Sequence, residues 1–264
     1  MKITTKTALI TGATSGIGYE LAKIFAKEGY NLVIVARNLV ELQAKAEEFL
    51  KYNVEVLPIA KDLFEINAPF DLYNEVKARG IKINVLVNDA GQGVYGAFAE
   101  TDIQRQLQII QLNVNALTIL TYLFLKDMIS RNEGKILQLG SVVSEIPAPL
   151  QSVYGGTKAY VLSFTEALRS EVKDTNITLT VLQPGGTNTD FFNKAGAQNS
   201  KIVEDKSKLA NPADVAKDGY EALMNGDDKV VSGFTNKVRI AMANITPDTI
   251  LADKMKNQSE EIKK

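Results

Sequence analysis

The 264-residue chain contains no cysteine and no histidine. Without cysteine there are no disulfides and no thiolate nucleophiles, and without histidine there is no Ser-His triad. The two absences also remove the ligands that most zinc and other transition-metal sites use, so no metal site is expected. Any proton transfer by this protein must therefore use Tyr, Lys, Asp or Glu.

An excess of charge of either sign is also absent, because 30 Lys and Arg residues balance 31 Asp and Glu residues. Neither a nucleic acid nor an anionic membrane surface is an expected partner of such a chain. No signal peptide and no apolar span of membrane length is evident. The most apolar segment, residues 112–128, is interrupted by Asn113, Asn115 and Lys126. We therefore expect a buried helix, no membrane insertion and a cytoplasmic location.

Short apolar segments alternate with helical patterns along the chain, without repeats or low-complexity linkers. The segments that read as strands are residues 7–11, 31–36, 54–60, 85–88, 134–140, 178–183 and 229–232. Helical patterns such as residues 39–52 and 68–79 lie between them. This alternation predicts an α/β fold, with a single doubly wound Rossmann-like domain over residues 1–264. Its parallel sheet should have about seven strands, with helices on both faces.

A glycine loop follows the first strand directly and precedes a helix that ends near Gly29. The loop holds Gly12, Ser15, Gly16, Ile17 and Gly18. Backbone N–H groups and a helix N-terminus then point at the loop, which favours a bound pyrophosphate over a plain turn. The spacing is G-x-x-x-G-x-G, and the Gly-Lys-Ser/Thr of a P-loop is missing.

The second strand ends at Ala36 and Arg37, where an acidic residue would grip the ribose 2′-hydroxyl of NAD. With no carboxylate there and a guanidinium beside it, NADP(H) is favoured over NAD(H). The alternative is that Arg37 is solvated and that Asn38 merely caps the next helix, with Glu41 completing a capping box. Both interpretations can hold at once. No basic residue precedes Gly16 to strengthen the NADP prediction.

Tyr154 and Lys158 lie four residues apart at the start of an amphipathic helix, so their side chains share one face. A nearby cation favours the phenolate form of a phenol, whose ordinary pKa is about 10. A Tyr with a lowered pKa can exchange protons near neutrality. The alternative is a chance pair. Gly155 and Gly156 indicate a close approach to the helix backbone, and Ser141 lies at a strand end, where open sheets place ligands.

Together these residues resemble the short-chain dehydrogenase/reductase family over residues 7 to about 190. The matching motifs are Thr11-Gly12-x-x-x-Gly16-x-Gly18, Asp62-Leu63, Asn88-x-Ala90-Gly91, Asn113, Ser141, Tyr154-x-x-x-Lys158, Pro184-Gly185 and Thr189. The resemblance implies a nicotinamide cofactor. The residues expected to bind it are Gly12, Ser15, Gly16, Ile17, Gly18, Arg37, Asp62, Leu63, Asn88, Ala90, Gly91, Tyr154, Lys158, Pro184, Gly185 and Thr189.

The resemblance also implies roles for the catalytic residues Asn113, Ser141, Tyr154 and Lys158. Tyr154 would be the acid/base and Ser141 would hold the carbonyl. Lys158 would bind the nicotinamide ribose and lower the pKa of Tyr154, and Asn113 would hold a water in a proton relay. Asp62 would contact adenine, and Thr189 the carboxamide. Asp89 stands where the family usually has a second Asn. The replacement either adds a negative charge near the cofactor or is only a structural substitution.

Two segments follow the motifs. Residues 189–208, here called the lid segment, are a long, mostly polar stretch that holds Phe191, Phe192 and Ile202. Long structureless stretches are usually functional, so we expect a mobile lid whose two Phe side chains contact the substrate; the alternative is that they belong to the core. Residues 236–264, the C-terminal extension, either pack on a partner subunit, cover the active site or fray.

The expected function is NADPH-dependent reduction of a ketone or aldehyde, a 3-oxoacyl group among the candidates, by hydride transfer with Tyr154 as general acid. Val143, Ile146 and Leu150 indicate an apolar pocket for this small-molecule carbonyl or alcohol substrate. A homodimer or homotetramer is expected. The alternatives are a non-catalytic NADP(H)-binding regulator on the same fold and an NAD-linked epimerase or dehydratase, for which the chain is short.

Overall fold

The computed structural model describes residues 6–243 and 245–260. Its seven strands are β1 Thr7–Thr11, β2 Asn31–Ala36, β3 Val56–Ala60, β4 Ile83–Asn88, β5 Gly134–Leu139, β6 Ile177–Gln183 and β7 Lys229–Val231. They form one sheet in the order β3-β2-β1-β4-β5-β6-β7, and every neighbouring pair is parallel. The strand order reverses between β1 and β4, and open sheets bind ligands at such a switch point. The predicted doubly wound α/β fold is confirmed.

Helices cover both faces of the sheet. The α-helices are α1 Gly16–Lys27, α2 Leu39–Leu50, α3 Ala68–Ala78, α4 Ile103–Ile110, α5 Leu117–Arg131, α6 Ser152–Glu171, α7 Phe191–Ala195, α8 Pro212–Asn225, α9 Phe234–Ala243 and α10 Asp248–Ser259. Alternate residues of β1 point to opposite faces. Ile10 therefore packs with Leu21 and Phe25 of α1 in one core, and Leu9 packs with Phe124 of α5 in the other.

Asparagine side chains cap two helices where the sequence predicts it. Asn38 accepts from the backbone N–H groups of Val40 and Glu41, as expected of a cap. Its side-chain amide donates to the Glu41 carboxylate at 2.9 Å, so the two side chains bond to each other and the expected capping box is not formed. Asn211 accepts from the N–H of Ala213 at 3.0 Å and starts α8. Such caps satisfy N–H groups that have no partner within the helix. They set where α2 and α8 begin.

Helices α4 and α5 are joined by a π-helix, Gln111–Ala116, into one continuous helix, Ile103–Arg131. By its length and its apolar composition this helix could cross a membrane. The prediction that the chain has no apolar span of membrane length is therefore wrong. A core helix meets the same criteria. Half of the apolar window is buried within the protein, and Leu112, Phe124 and Met128 pack in the core beside the sheet.

The C-terminal extension folds back onto the main body. Ile240 of α9 and Leu251 and Met255 of α10 pack with Val142 and Ile146, which follow β5. The described part of the extension therefore does not fray; it covers the loop after β5, next to the expected active site. Residues 244 and 261–264 of the extension, like residues 1–5 of the predicted domain, lie outside the described residues.

Candidate active site

A groove of about 1600 Å³ runs along the carboxyl edge of the sheet, from the end of β2 to α9 and α10. The predicted site residues that line it are Gly12, Ser15, Gly16, Ile17, Arg37, Asp62, Leu63, Ala90, Gly91, Ser141, Tyr154, Pro184, Gly185 and Thr189. The other four, Gly18, Asn88, Asn113 and Lys158, lie behind the groove wall. The fold thus brings motifs from distant parts of the chain to one edge.

The glycine loop has a backbone that suits a phosphate group. Gly12 and Gly16 have φ angles of +73° and +63°, a region that favours glycine. Ser15 precedes α1 without capping it through its side chain. The N–H of Gly18 donates to Asp89, which leaves the first N–H groups of the helix, those of Gly16 and Ile17, to an anion. A Cβ on Gly16 would lie 3.1 Å from Cγ2 of Thr189. The glycine loop and Thr189 therefore face each other across a narrow space, which a side chain at position 16 would fill. With its free N–H groups and this open space, the loop fits the pyrophosphate of a dinucleotide.

Asp89 is the buried charge of the site. A Cβ on Gly12 would lie 2.8 Å from Oδ2 of Asp89, and a Cβ on Gly18 would overlap the same carboxylate. Burial raises the pKa of Asp89 to about 7, against the opposing effects of the Lys158 charge and a hydrogen bond from the Gly18 backbone. Within the described part of the chain Oδ1 has no hydrogen-bond partner. The negative charge seen in the sequence thus lies behind the glycine loop.

An aromatic ring with two arginines lies at the end of the groove beside β2 and β3. The guanidinium carbons of Arg37 and Arg105 lie 5.5 and 4.9 Å from the ring centroid of Phe64. The N–H of Phe64 donates to Oδ1 of Asp62 at 3.1 Å. Burial, and secondly the charge of Arg37, lower the pKa of Arg105. Sequence reasoning found Arg37 and Asp62 but missed Phe64 and Arg105, which no motif marks.

Tyr154 and Ser141 meet in the middle of the groove. The Ser141 hydroxyl accepts from the N–H of Val143 at 3.3 Å and lies 3.4 Å from the carbonyl oxygen of Pro184. Burial raises the pKa of Tyr154 to about 12, with Asp89 adding to the rise and a hydrogen bond with the Ser141 side chain opposing it. The expected lowering of the Tyr154 pKa is therefore wrong for this structure, because burial outweighs every favourable neighbour.

Lys158 lies behind Tyr154 on the same helix face, as its spacing predicts. Its Nζ is 5.7 Å from the Tyr154 ring centroid and donates to the carbonyl oxygen of Leu139 at 2.6 Å. Burial lowers the pKa of Lys158 to about 8, and Asp89 opposes that change. The ammonium thus has a backbone carbonyl and a carboxyl group as neighbours, which is why it does not offset the burial of the Tyr154 hydroxyl.

Asn113 lies in the π-helix, an element often found at functional sites. Its Nδ2 donates to the carbonyl oxygen of Gln92 at 2.9 Å and to the Thr157 hydroxyl at 3.0 Å. Its Oδ1 accepts from the N–H of Gln92 at 3.1 Å. Both amide protons of Asn113 are used within the protein, and they tie the π-helix to α6 and to the loop after β4. Neither Gln92 nor Thr157 could be found from the motifs.

Asn88 is placed differently from the prediction that it binds the cofactor. Its Nδ2 donates to Thr121 at 3.1 Å and to Gln138 at 2.9 Å, and only 4% of the residue is exposed. Buried polar side chains need such partners. Asn88 therefore joins β4 to β5 and α5 inside the core and does not line the groove.

The two glycines after Tyr154 have different surroundings. A Cβ on Gly155 would lie 2.8 Å from Cβ of Ala148, whereas a Cβ on Gly156 would meet nothing within 4 Å. The predicted close approach to the helix backbone is confirmed for Gly155 and wrong for Gly156. The approaching group is Ala148 of the loop before α6.

The lid segment contains helix α7 and short 3₁₀ helices, Lys201–Val203 and Lys206–Lys208, so the expectation of a structureless stretch is wrong. Phe192 packs with Ala195 and Ala197 in a small cluster and is 9% exposed. Phe191 is partly buried: it packs against this cluster and the Phe192 ring, and it also lies 5.1 Å from the Tyr154 ring, centroid to centroid. Both Phe residues line the groove, but only Phe192 is buried in the cluster, whereas Phe191 also borders Tyr154.

Helices α9 and α10 contribute polar side chains to the groove lining that sequence reasoning missed, including Arg239 and Gln258. A single arginine in an amphipathic helix carries no motif, and nothing in the sequence relates it to Tyr154. Gln151, at the start of α6, also lines the groove. Its Nε2 is buried and has no acceptor among the described residues.

Comparison with known proteins agrees with this geometry. Residues 6–200 match the family model for short chain dehydrogenases. A short chain dehydrogenase of Pseudocercospora fijiensis is 31% identical over 215 residues, which are 78% of this chain and 69% of the relative. A probable NADP-dependent dehydrogenase of Haemophilus influenzae is 32% identical over 219 residues, 80% of this chain and 85% of the relative.

A solved short-chain dehydrogenase from Sphingobium yanoikuyae, in complex with NADPH, superposes with a TM-score of 0.81 at 26% identity. The match covers 94% of this chain and 96% of the other. The seven-stranded parallel sheet, the glycine loop at its switch point, the family model and these relatives lead to one conclusion. This chain belongs to the short-chain dehydrogenase/reductase family and is an NAD(P)-dependent oxidoreductase.

Proposed function

We propose that the protein is an NADPH-dependent reductase of ketones or aldehydes, with Tyr154 as the general acid. The observation that carries this proposal is the meeting of the Tyr154 and Ser141 hydroxyl groups in the middle of the groove, between the glycine loop and an apolar wall. Two neutral hydroxyl groups at one point suit a carbonyl oxygen that becomes an alcohol. A protein that only binds the dinucleotide has no need of them.

The cofactor would lie along the groove, with its pyrophosphate at the Gly12–Gly18 loop and its adenosine beside Asp62 and Arg37. A bound NADPH supplies the hydride. Preference for NADP(H) over NAD(H) is supported by Arg37, which forms no ion pair with any residue in the described ranges. The names of the Haemophilus influenzae relative and of the NADPH complex also support it.

The roles of the protein groups follow from their protonation. A pKa of about 12 keeps the Tyr154 phenol protonated near neutral pH, which is the state that donates a proton to a carbonyl oxygen. The Ser141 hydroxyl donates a hydrogen bond to the same oxygen and holds it near the phenol. Lys158 is positioned to place a positive charge behind Tyr154, where a phenolate develops as the proton leaves. Phe191 excludes water from one side of the phenol.

The experiment is a turnover assay of the purified protein with NADPH and with NADH. A panel of ketones, aldehydes and 3-oxoacyl thioesters is offered, and the loss of reduced nicotinamide absorbance is measured. We expect reduction of at least one apolar ketone or aldehyde, with a higher kcat/KM for NADPH than for NADH. Binding of NADPH without reduction of any carbonyl, together with no oxidation of the matching alcohols by NADP, would refute the proposal.

We also propose a homo-oligomer, a cytoplasmic location and a lid segment that moves over the substrate. Exposed apolar side chains on α4 and α5, among them Leu107, Tyr122 and Ile129, suit contact with a second copy. The ends of the lid segment are joined by a bridge between Thr187 and Ala210. Its middle is held by backbone hydrogen bonds from Tyr95 to Ala195 and from Lys201 to Glu260, which would break as the segment opens. Light scattering after size exclusion tests the oligomer, and a monomer at all concentrations contradicts it.

A further inference from the structure

Arg239 is a cation of the groove for which the described residues provide no acidic partner. It lies half-buried in α9, lines the groove, and donates to Oε1 of Gln258 at 2.7 Å. Its Nη2 also contacts the sulfur of Met255. No ion pair formed within residues 6–243 and 245–260 includes it. Only Nη2 of the guanidinium has a hydrogen-bond acceptor among the described residues, so most of its five N–H donors remain open to a ligand.

The other cations on this side of the groove are neutralised. Lys194, Lys201 and Lys208 line the same side, and each lies 3.3 Å from a carboxylate, of Asp190, Glu260 and Asp205 respectively. Burial lowers the pKa of Arg239, and no acidic neighbour opposes that change. A half-buried guanidinium without a counter-ion is unfavourable for the free protein. Such an arrangement is useful where a ligand brings the anion.

An apolar wall connects Arg239 with the reacting centre. Val142 and Ile146 follow Ser141 along the chain and pack with Ile240 and Met255, the neighbours of Arg239 in sequence and in space. The start of α9 also touches the Pro184-Gly185 turn, since a Cβ on Gly185 would lie 2.5 Å from the Asn236 amide. A substrate held by Ser141 at its carbonyl would thus extend along apolar side chains towards the guanidinium.

The anion that Arg239 would bind does not come from the cofactor. Its phosphates belong to the glycine loop after β1 and to Arg37 after β2, whereas α9 follows β7 at the opposite edge of the sheet. Given the reductase function proposed above, on which this step rests, we propose that Arg239 binds the carboxylate of the substrate. The substrate is then an oxo acid, with its carbonyl at Tyr154 and Ser141, an apolar segment along Val142 and Met255, which line the groove, and its anionic end at Arg239.

The test compares medium-chain oxo-carboxylic acids with the methyl esters of the same acids, in wild type, Arg239→Gln and Arg239→Lys. Lys237→Gln is the control, because it removes an exposed charge from the same helix. For the acids we expect Arg239→Gln to lower kcat/KM about ten- to a hundredfold, mostly through KM, which is the usual worth of a hydrogen-bonded charge. The esters should change less than about threefold, and Arg239→Lys should recover part of the loss.

Binding of the same acids to the NADPH complex, followed by quenching of nicotinamide fluorescence, separates this inference from the proposed function. Saturable binding that is lost in Arg239→Gln supports the carboxylate site even if no carbonyl is reduced. The inference is wrong if acids bind no better than esters, if Arg239→Gln weakens both equally, or if only phosphate-bearing ketones bind. A thermal unfolding curve for each variant shows whether the variant is folded. If Arg239→Gln does not fold, the inference is tested by Arg239→Lys and by the difference between acids and esters in the wild-type protein.

Discussion

The two sides of the groove are built in different ways. The cofactor side, formed by the turns after β1 to β4, presents backbone N–H groups, glycines with positive φ and one free arginine, Arg37. The substrate side, formed by residues 186–259, presents side chains of α7, α9 and α10. A site made of backbone depends on glycine spacing, which a sequence shows directly. A site made of side chains depends on how helices pack, which it does not show.

The difference also appears in the charges. On the cofactor side Asp89 and Lys158 influence each other's pKa; Asp89 lines the groove and Lys158 lies behind it. On the substrate side the three lysines that line the groove are each paired with a carboxylate, whereas the described residues provide no acid for the lining residue Arg239. We therefore expect the charges of the cofactor side to control protonation at Tyr154, and the side chains of the substrate side to select the substrate.

Tyr154 lies where the two sides meet, and its removal should have the largest effect. Tyr154→Phe should lower turnover by at least about two decades, the usual contribution of a general acid, while NADPH binding is kept. Turnover is measured by nicotinamide absorbance and binding by fluorescence titration. Tyr160→Phe is the matched control, because it removes a phenol on the same helix that bonds only to Thr118 among the described residues. A near-normal rate in Tyr154→Phe would remove its assignment as the acid.

The two Phe residues of α7 divide the substrate side into a packed part and a contacting part. Phe192→Ala removes a buried ring and should cost about 3 kcal/mol of unfolding free energy, or about 6–12 °C in Tm. Phe191→Ala should leave Tm within a few degrees and raise the KM of an apolar ketone, because Phe191 borders Tyr154. Equal losses of Tm with unchanged KM would place both rings in the core.

Arg37 tests the cofactor side by its charge. Arg37→Ala should weaken NADPH binding by about ten- to a hundredfold and leave NADH binding nearly unchanged, because the lost contact is to the 2′-phosphate. Fluorescence titration with both cofactors measures the two affinities. Lys27→Ala, which removes an exposed charge at the far end of α1, is the control. Equal affinity of the unmodified protein for both cofactors would contradict the assignment.

Asp89 should produce the smallest effect, and one that depends on pH. The pKa of Asp89 is raised in the folded protein to about 7, so its contribution to stability is present below the unfolded pKa of about 4. That contribution is lost as pH rises through about 7. Asp89→Asn should therefore raise Tm by a few degrees at about pH 8.5 and have less effect at about pH 5. Thermal unfolding at both values measures this, with exposed Asp174→Asn as the control.

A Tm difference between wild type and Asp89→Asn that is the same at both pH values would show that Asp89 is not a titrating group. The substitution also removes the charge that raises the pKa values of Tyr154 and Lys158. The upper limb of the pH dependence of kcat/KM should then move to lower pH. This links the protonation of the cofactor side to the reacting centre.

Much of the fold was predictable because its signals are local. Apolar segments of strand length, Gly29 after α1 and the asparagine caps before α2 and α8 each depend on a few neighbouring residues. The structure starts β3 two residues later and β4 two residues earlier than the sequence predicts. Hydrogen bonding to the neighbouring strand decides where a strand begins. The π-helix at Asn113 was not predicted, because the interactions that favour it come from Gln92 and Thr157.

The sequence by itself determined the α/β fold, the glycine loop for a phosphate and the spacing that puts Tyr154 and Lys158 on one helix face. These follow from periodicity and backbone freedom, which a chain carries in its local order. Only the tertiary structure decided that Asn88 lies in the core, that burial raises the pKa of Tyr154, and that Arg239 faces the groove unpaired. Burial and electrostatic environment are set by residues far apart in sequence, and they exist only once the chain has packed.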